Sequence, residues 1–117
     1  MASIRAGADL FTVVVRVRTP SADDRRQVLD ICRATQHIFA RQPGFVSSSL
    51  HRSHDDDAIL SYLQWRTEAD HEACLRSPDF ETPDGRRLMQ MIEEGRVEMD
   101  VRSYAVDQVI DAPDGEP

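Results

Sequence analysis

The sequence predicts a single α+β domain in the order β-α-β-β-α-β, a ferredoxin-like antiparallel sheet with helices on one face. Three observations carry this expectation. The chain has 117 residues, enough for one core and too few for two of ordinary size. Strand-length runs of β-branched or alternating residues recur along it, and stretches of helical periodicity separate them.

The first run, Phe11 to Arg18, sets Phe11, Val13, Val15 and Val17 against Thr12, Val14, Arg16 and Arg18, the two-residue alternation of a strand. Thr19-Pro20-Ser21 breaks it, and Ser21 can cap a helix whose positive end Asp23 and Asp24 complement. Val28, Ile31, Cys32, Thr35, Ile38 and Phe39 then recur at three- and four-residue steps, which predicts a helix running to Arg41 with this stripe inward. Gln42-Pro43-Gly44 ends it.

Phe45 to Arg52 reads as the second strand and Ala58 to Trp65 as the third. Between them Asp55-Asp56-Asp57 reads as a solvated hairpin turn, because three consecutive carboxylates cannot converge on one metal ion. On the third strand Ile59, Ser61, Leu63 and Trp65 share one face, and Leu60, Tyr62 and Gln64 the other. Thr67 and Asp70 form a capping pair for a helix from Glu68 to Arg76. Ser77-Pro78 restarts the chain, and a further helical segment near Asp84 to Glu94 ends at Gly95, a residue suited to a left-handed helix terminus.

Arg96 to Ile110 is long for one strand, so a bulge or an extension beyond the sheet is expected. The expected organisation is an extended or disordered segment over residues 1–9, a domain over 10–110 and a flexible tail over 111–117. A four-stranded sheet with helices on one face leaves the other uncovered, and stacking a second copy against it predicts a homodimer.

Composition narrows the function classes. A chain 40% hydrophobic and 30% charged suits a soluble folded protein. No apolar stretch approaches the length of a membrane span, and Met1 to Gly7 lacks the pattern of a secretory signal, so a cytoplasmic protein without membrane contacts is expected. The formal charge is −7 and every basic residue is arginine, with no basic cluster to neutralise phosphates, which argues against nucleic acid. Cys32 and Cys74 have no neighbours at metal-ligand spacing and read as free, buried thiols.

Three stretches, Gln42-Pro43-Gly44-Phe45, Leu50-His51-Arg52-Ser53 and Tyr62-Leu63-Gln64-Trp65-Arg66-Thr67-Glu68-Ala69-Asp70, together resemble the antibiotic biosynthesis monooxygenase domain family. The resemblance extends over Phe11 to Val109. It implies a dimeric ferredoxin-like α+β barrel with a ligand cavity in each subunit between the sheet and its helices. Many members act on aromatic polyketides, and the best-known oxidise an anthrone-type phenol to a quinone with dioxygen and no metal, flavin or haem. The implied partners are an aromatic small molecule, dioxygen and a second copy of the chain.

The resemblance also implies a site. Trp65 matches the family's tryptophan on the third strand, placed to stack on a planar substrate or donate its indole N–H. The asparagine often found four residues earlier is Ser61 here, and an asparagine that some members carry on the first strand falls within Val13 to Val15. A helix tyrosine becomes His71, whose imidazole can act as a base near neutral pH, and a tyrosine at the end of the second strand becomes Leu50, with His51 adjacent. Trp65, His71 and Ser61 are therefore the candidate catalytic residues. His51, Leu63, Arg86 and Arg87 are the candidate substrate contacts, with no metal site. The haem-degrading branch places its iron ligand where this chain has no histidine between Arg76 and Asp111, which disfavours haem.

The leading expectation is a cofactor-independent monooxygenase for a polycyclic aromatic intermediate. The alternatives are a polyketide cyclase or aromatase using the same cavity, in which water is lost, and a non-catalytic dimer that binds a small aromatic molecule.

Overall fold

The structure, a computed structural model, describes residues 10–54 and 57–113. The segment before Leu10, the turn residues Asp55 and Asp56, and most of the expected tail lie outside the described residues.

The elements follow in the order β1 (Phe11–Arg18), α1 (Ala22–Ala40), β2 (Phe45–Arg52), β3 (Ala58–Trp65), α2 (Glu68–Leu75), α3 (Pro83–Glu93) and β4 (Glu98–Ala105), with a short 3-10 turn at Pro78–Phe80. The four strands form one antiparallel sheet in the order β2-β3-β1-β4. This is the ferredoxin-like α+β arrangement that the strand and helix pattern anticipated.

Local chemistry sets the boundaries. The Ser21 hydroxyl accepts from the Asp24 amide and starts α1, the Thr67 hydroxyl accepts from the Asp70 amide at 3.1 Å and starts α2, and Thr82 does the same for Gly85 at α3. Pro83 occupies the first turn of α3, where its missing N–H costs nothing, and Gly95 beyond the helix has φ +75°. The turn between α1 and β2 needs Gly44, which has φ +82° and lies so close to Asp70 that a Cβ would collide with the carboxyl. One register shift between Phe45 and Ser47 leaves Val46 as a bulge on β2.

Register decides which side chains face the helices. Val13 lies opposite Leu63, Val15 opposite Ser61 and Val17 opposite Ile59, so the predicted inward sets of β1 and β3 share one face. On that face the core divides in two. Val17, Val28, Ile59, Met91 and Val97 form one cluster, and Val13, Leu63, Trp65 and Cys74 the other. Each such side chain taken fully out of water contributes about 1.5–3 kcal/mol.

β4 is exposed along its whole length, and Met99 and Val101, on the helix side, remain 39% and 53% exposed. The long C-terminal run resolves into this strand and an irregular extension beyond Ala105, the second of the two outcomes the sequence allowed.

Candidate active site

Alternation along β3 sends Ser61, Leu63 and Trp65 toward the helices, and α1 faces them with Cys32, Thr35, Gln36 and Phe39. Between the two layers lies a cavity of about 190 Å³ whose wall is drawn from both core clusters and is almost entirely apolar. Leu75, Leu88, Met99 and Val101 complete it on the side of α2, α3 and β4.

Trp65 is fully buried on this wall. Phe39 and Phe45 meet its ring edge-on, with centroids 6.2 and 5.8 Å away, and so fix its plane. The indole N–H is buried and finds no partner among the described residues. A buried donor left in this state costs about 1–3 kcal/mol, and the residue that carries it lines the cavity.

His71 comes from the first turn and a half of α2, where its backbone amide bonds to the Thr67 carbonyl at 3.3 Å. Its ring packs on Phe11 with centroids 5.5 Å apart and lines the same cavity as Trp65. Burial holds its pKa below the usual 6.5, while Glu72 and Glu68 partly oppose that shift. The imidazole is thus neutral at physiological pH and able to accept a proton.

Ser61 is buried opposite α1, and its hydroxyl accepts from the Gln36 side-chain amide at 2.9 Å. The amide oxygen of Gln36 is itself buried without a partner among the described residues. Cys32 also reaches the cavity wall, and burial pushes its thiol up to about 11, so it stays protonated and unreactive.

Four of the seven residues expected from the sequence, Trp65, His71, Ser61 and Leu63, therefore meet on one cavity. Arg86 lies apart, on a wider groove of about 750 Å³ between α1, α2 and α3. That groove shares Thr35, Phe39, Leu75, Leu88 and Met99 with the cavity and so lies directly beside it. Arg87 points elsewhere, donating to the Gln27 side chain at 3.4 Å and to that of Gln90 at 3.3 Å.

His51 is also not brought to the cavity. Leu50 pairs with Ser61 and so takes the helix side, leaving His51 exposed on the other face, where it shares a 2.9 Å hydrogen bond with Ser49. Gln36 is the residue that the sequence reading missed. Its signal was present, since it stands four residues after Cys32 and three before Phe39 and adds a second polar residue, beside Thr35, to a mostly apolar inward stripe.

Among the described residues no group of three or more His, Cys, Asp or Glu side chains is placed to hold a metal ion, and no helix is long and apolar enough to cross a membrane.

A ferredoxin-like domain with an apolar chamber, a buried donor and a neutral imidazole has the features of a small-molecule site suited to flat, weakly polar ligands. Comparison with known proteins agrees. The family model for antibiotic biosynthesis monooxygenase matches residues 10–82. Tetracenomycin-F1 monooxygenase of Streptomyces glaucescens is 37% identical over 79 residues, covering 67% of this chain and 70% of the relative. SnoaB of Streptomyces nogalater, a cofactor-independent oxygenase, superposes with a TM-score of 0.72 at 25% identity, over 88% of this chain and 98% of its own. A structure from Pseudomonas aeruginosa, at 16% identity and a TM-score of 0.65 over 86% of this chain and 97% of its own, shares the fold. The chain belongs to the antibiotic biosynthesis monooxygenase family, and with it to the oxidoreductases of monooxygenase type.

Proposed function

We propose that this protein oxidises a hydroxylated polycyclic aromatic of the anthrone type with dioxygen, using no resident cofactor, in the cavity between β3 and α1. The observation that carries the reading is the meeting of Trp65 and His71 on that cavity, one with a buried N–H that has no partner among the described residues and the other with an uncharged imidazole. SnoaB, similar in fold, is a cofactor-independent oxygenase, which supports the same economy here.

The chemistry balances without a further reductant. His71 removes a proton from the ring methylene or its phenolic tautomer, and the resulting electron-rich anion reduces dioxygen and captures it as a carbon-bound peroxide. Loss of water from that peroxide leaves a carbonyl, so the methylene gives up two hydrogens, one oxygen atom enters the product and the other departs as water. Trp65 orients the ring and offers its N–H to the oxygen on which negative charge gathers. The apolar walls keep bulk water from the anion.

Size supports a deep but partial insertion. The cavity of about 190 Å³ is smaller than the roughly 300 Å³ or more of drug-sized pockets. The ring system lies along the cavity between the Trp65 and Gln36 ends, and its open edge faces the neighbouring groove, which Arg86 lines. The exposed apolar side chains of β4, Met99 and Val101 on one face and Tyr104 on the other, support a homodimer in which a second copy closes this flank of the cavity.

Incubation of the protein with dithranol, a dihydroxy anthrone, under air and under nitrogen tests the reading by mass spectrometry. The expected product has gained one oxygen and lost two hydrogens, and it forms under air alone. Anaerobic turnover of a linear polyketide with loss of water would instead establish the cyclase, and ligand binding without turnover of either substrate would establish a binding protein.

A further inference from the structure

Gln36 has no part in the chemistry described above, yet it supplies one of the few polar groups on the cavity wall. Its Nε2 donates to the Ser61 hydroxyl at 2.9 Å across the gap between α1 and β3, and its Oε1 is buried without a partner among the described residues. The unpartnered N–H of Trp65 belongs to the same wall. Two residues of the cavity wall thus each carry a buried polar atom without a partner among the described residues, one an acceptor and one a donor.

These two groups stand at different levels of the sheet. Gln36 is anchored at Ser61, Trp65 lies four residues further along β3, and Leu63 separates them on the same face. Four strand residues span about 13 Å between Cα atoms. That spacing suits oxygens at two separate ends of a fused ring system better than two neighbouring substituents on one ring.

We infer that Gln36 is a substrate-positioning residue, whose amide, held by Ser61, recognises a phenolic hydroxyl on the ring system at the end remote from Trp65. The inference rests on the proposed aromatic ligand and adds to it a required hydroxyl and the residue that selects it. A hydroxyl suits this place because it both donates and accepts. It therefore pairs with either end of the amide, and the Ser61 hydroxyl adapts to whichever end remains. An aromatic without that hydroxyl leaves the Gln36 amide unmet and binds less well.

Trp65 is the sole tryptophan, so its fluorescence reports on this cavity alone. The test titrates that fluorescence with anthraflavic acid, a planar anthraquinone with a hydroxyl at each end, and with unsubstituted anthraquinone. Gln36→Met keeps the length of the side chain and removes its hydrogen bonds. It is expected to weaken anthraflavic acid about tenfold and to leave anthraquinone within about twofold of the wild type. Gln36→Glu, whose carboxylate still accepts from Ser61 and from a phenol, is expected to retain the preference and guards against a folding defect in the first variant.

Equal weakening of both ligands by Gln36→Met, or no weakening of either, overturns the role of Gln36 while leaving an aromatic-binding cavity in place. Quenching of the wild type by neither compound overturns the aromatic reading itself, and this inference with it.

Discussion

The rings of Trp65 and His71 lie with centroids 5.8 Å apart at an interplanar angle of 51°, although one comes from the end of β3 and the other from α2. The Thr67 cap that starts α2 immediately after the strand produces this meeting, because it turns the chain so that His71 points back over the last residue of β3. An indole and a neutral imidazole are thereby delivered to one cavity by a stretch of seven residues, Trp65 to His71.

Removing the indole N–H while keeping an aromatic ring separates the two roles of Trp65. Trp65→Phe is expected to lower kcat/KM for dithranol oxidation about ten- to a hundredfold, mainly in kcat, with a modest loss of stability. Trp65→Ala should cost about 3–5 kcal/mol in urea unfolding, since it empties the centre of one core cluster. Oxygen-electrode rates and denaturant melts on the same preparations check both.

The role proposed for His71 predicts a pH dependence. As the base it must be neutral, and burial holds its pKa below 6.5, so the acid limb of kcat/KM is expected below pH 6.5 and should vanish in His71→Gln. Glu72 raises this pKa, so Glu72→Gln is expected to shift the acid limb to still lower pH. The sign for stability follows from the same shift. The contribution is fully present above 6.5 and is lost as pH falls through the lowered folded value, because protonation then favours the unfolded chain. A limb that stays unchanged in His71→Gln would assign the base to another group.

Asp24 and Arg96 tie the start of α1 to the segment before β4. Both guanidinium nitrogens Nε and Nη2 donate to the carboxylate, at 3.1 and 2.5 Å, and this bonding holds Asp24 below its usual pKa of 3.8. Stabilisation from a lowered carboxylate pKa is present above 3.8 and disappears as pH falls below it. Asp24→Asn is therefore expected to lower Tm clearly at pH 7 and to match the wild type in strong acid, as thermal melts across that range can determine.

Gly44 and Gly95 both have positive φ, but only Gly44 faces an obstacle, the Asp70 carboxyl. Gly95→Ala is expected to cost about 1–2 kcal/mol from backbone strain alone, and Gly44→Ala more. Adding Asp70→Ala to Gly44→Ala should recover part of the excess, which a double-mutant cycle would measure.

Much of this architecture could be read from local chemistry. The strands β1 and β3 announce themselves by alternation, and Ser21, Thr67 and Gly95 mark helix ends by capping chemistry that operates within a few residues. Trp65, Ser61 and Leu63 follow from the same alternation, which places all three on one side of β3. The choice between Leu50 and His51 could not be read, because it depends on the pairing of β2 with β3, and the bulge at Val46 changes the count along β2. Gln36 was hidden for a related reason. A polar residue on a helix face acquires meaning only when its partner is known, and Ser61 lies 25 residues away. Arg86 and Arg87 differ only in which side of α3 they take, and that side is set by packing against α1.

A crystal structure of the protein with anthraflavic acid bound tests the central claim most directly. The expected result is a ring seated in the cavity between β3 and α1, within contact of the Trp65 indole and the His71 imidazole. A ligand bound on the open face of the sheet, or a cavity closed by the surrounding side chains with the ligand outside it, would contradict the account.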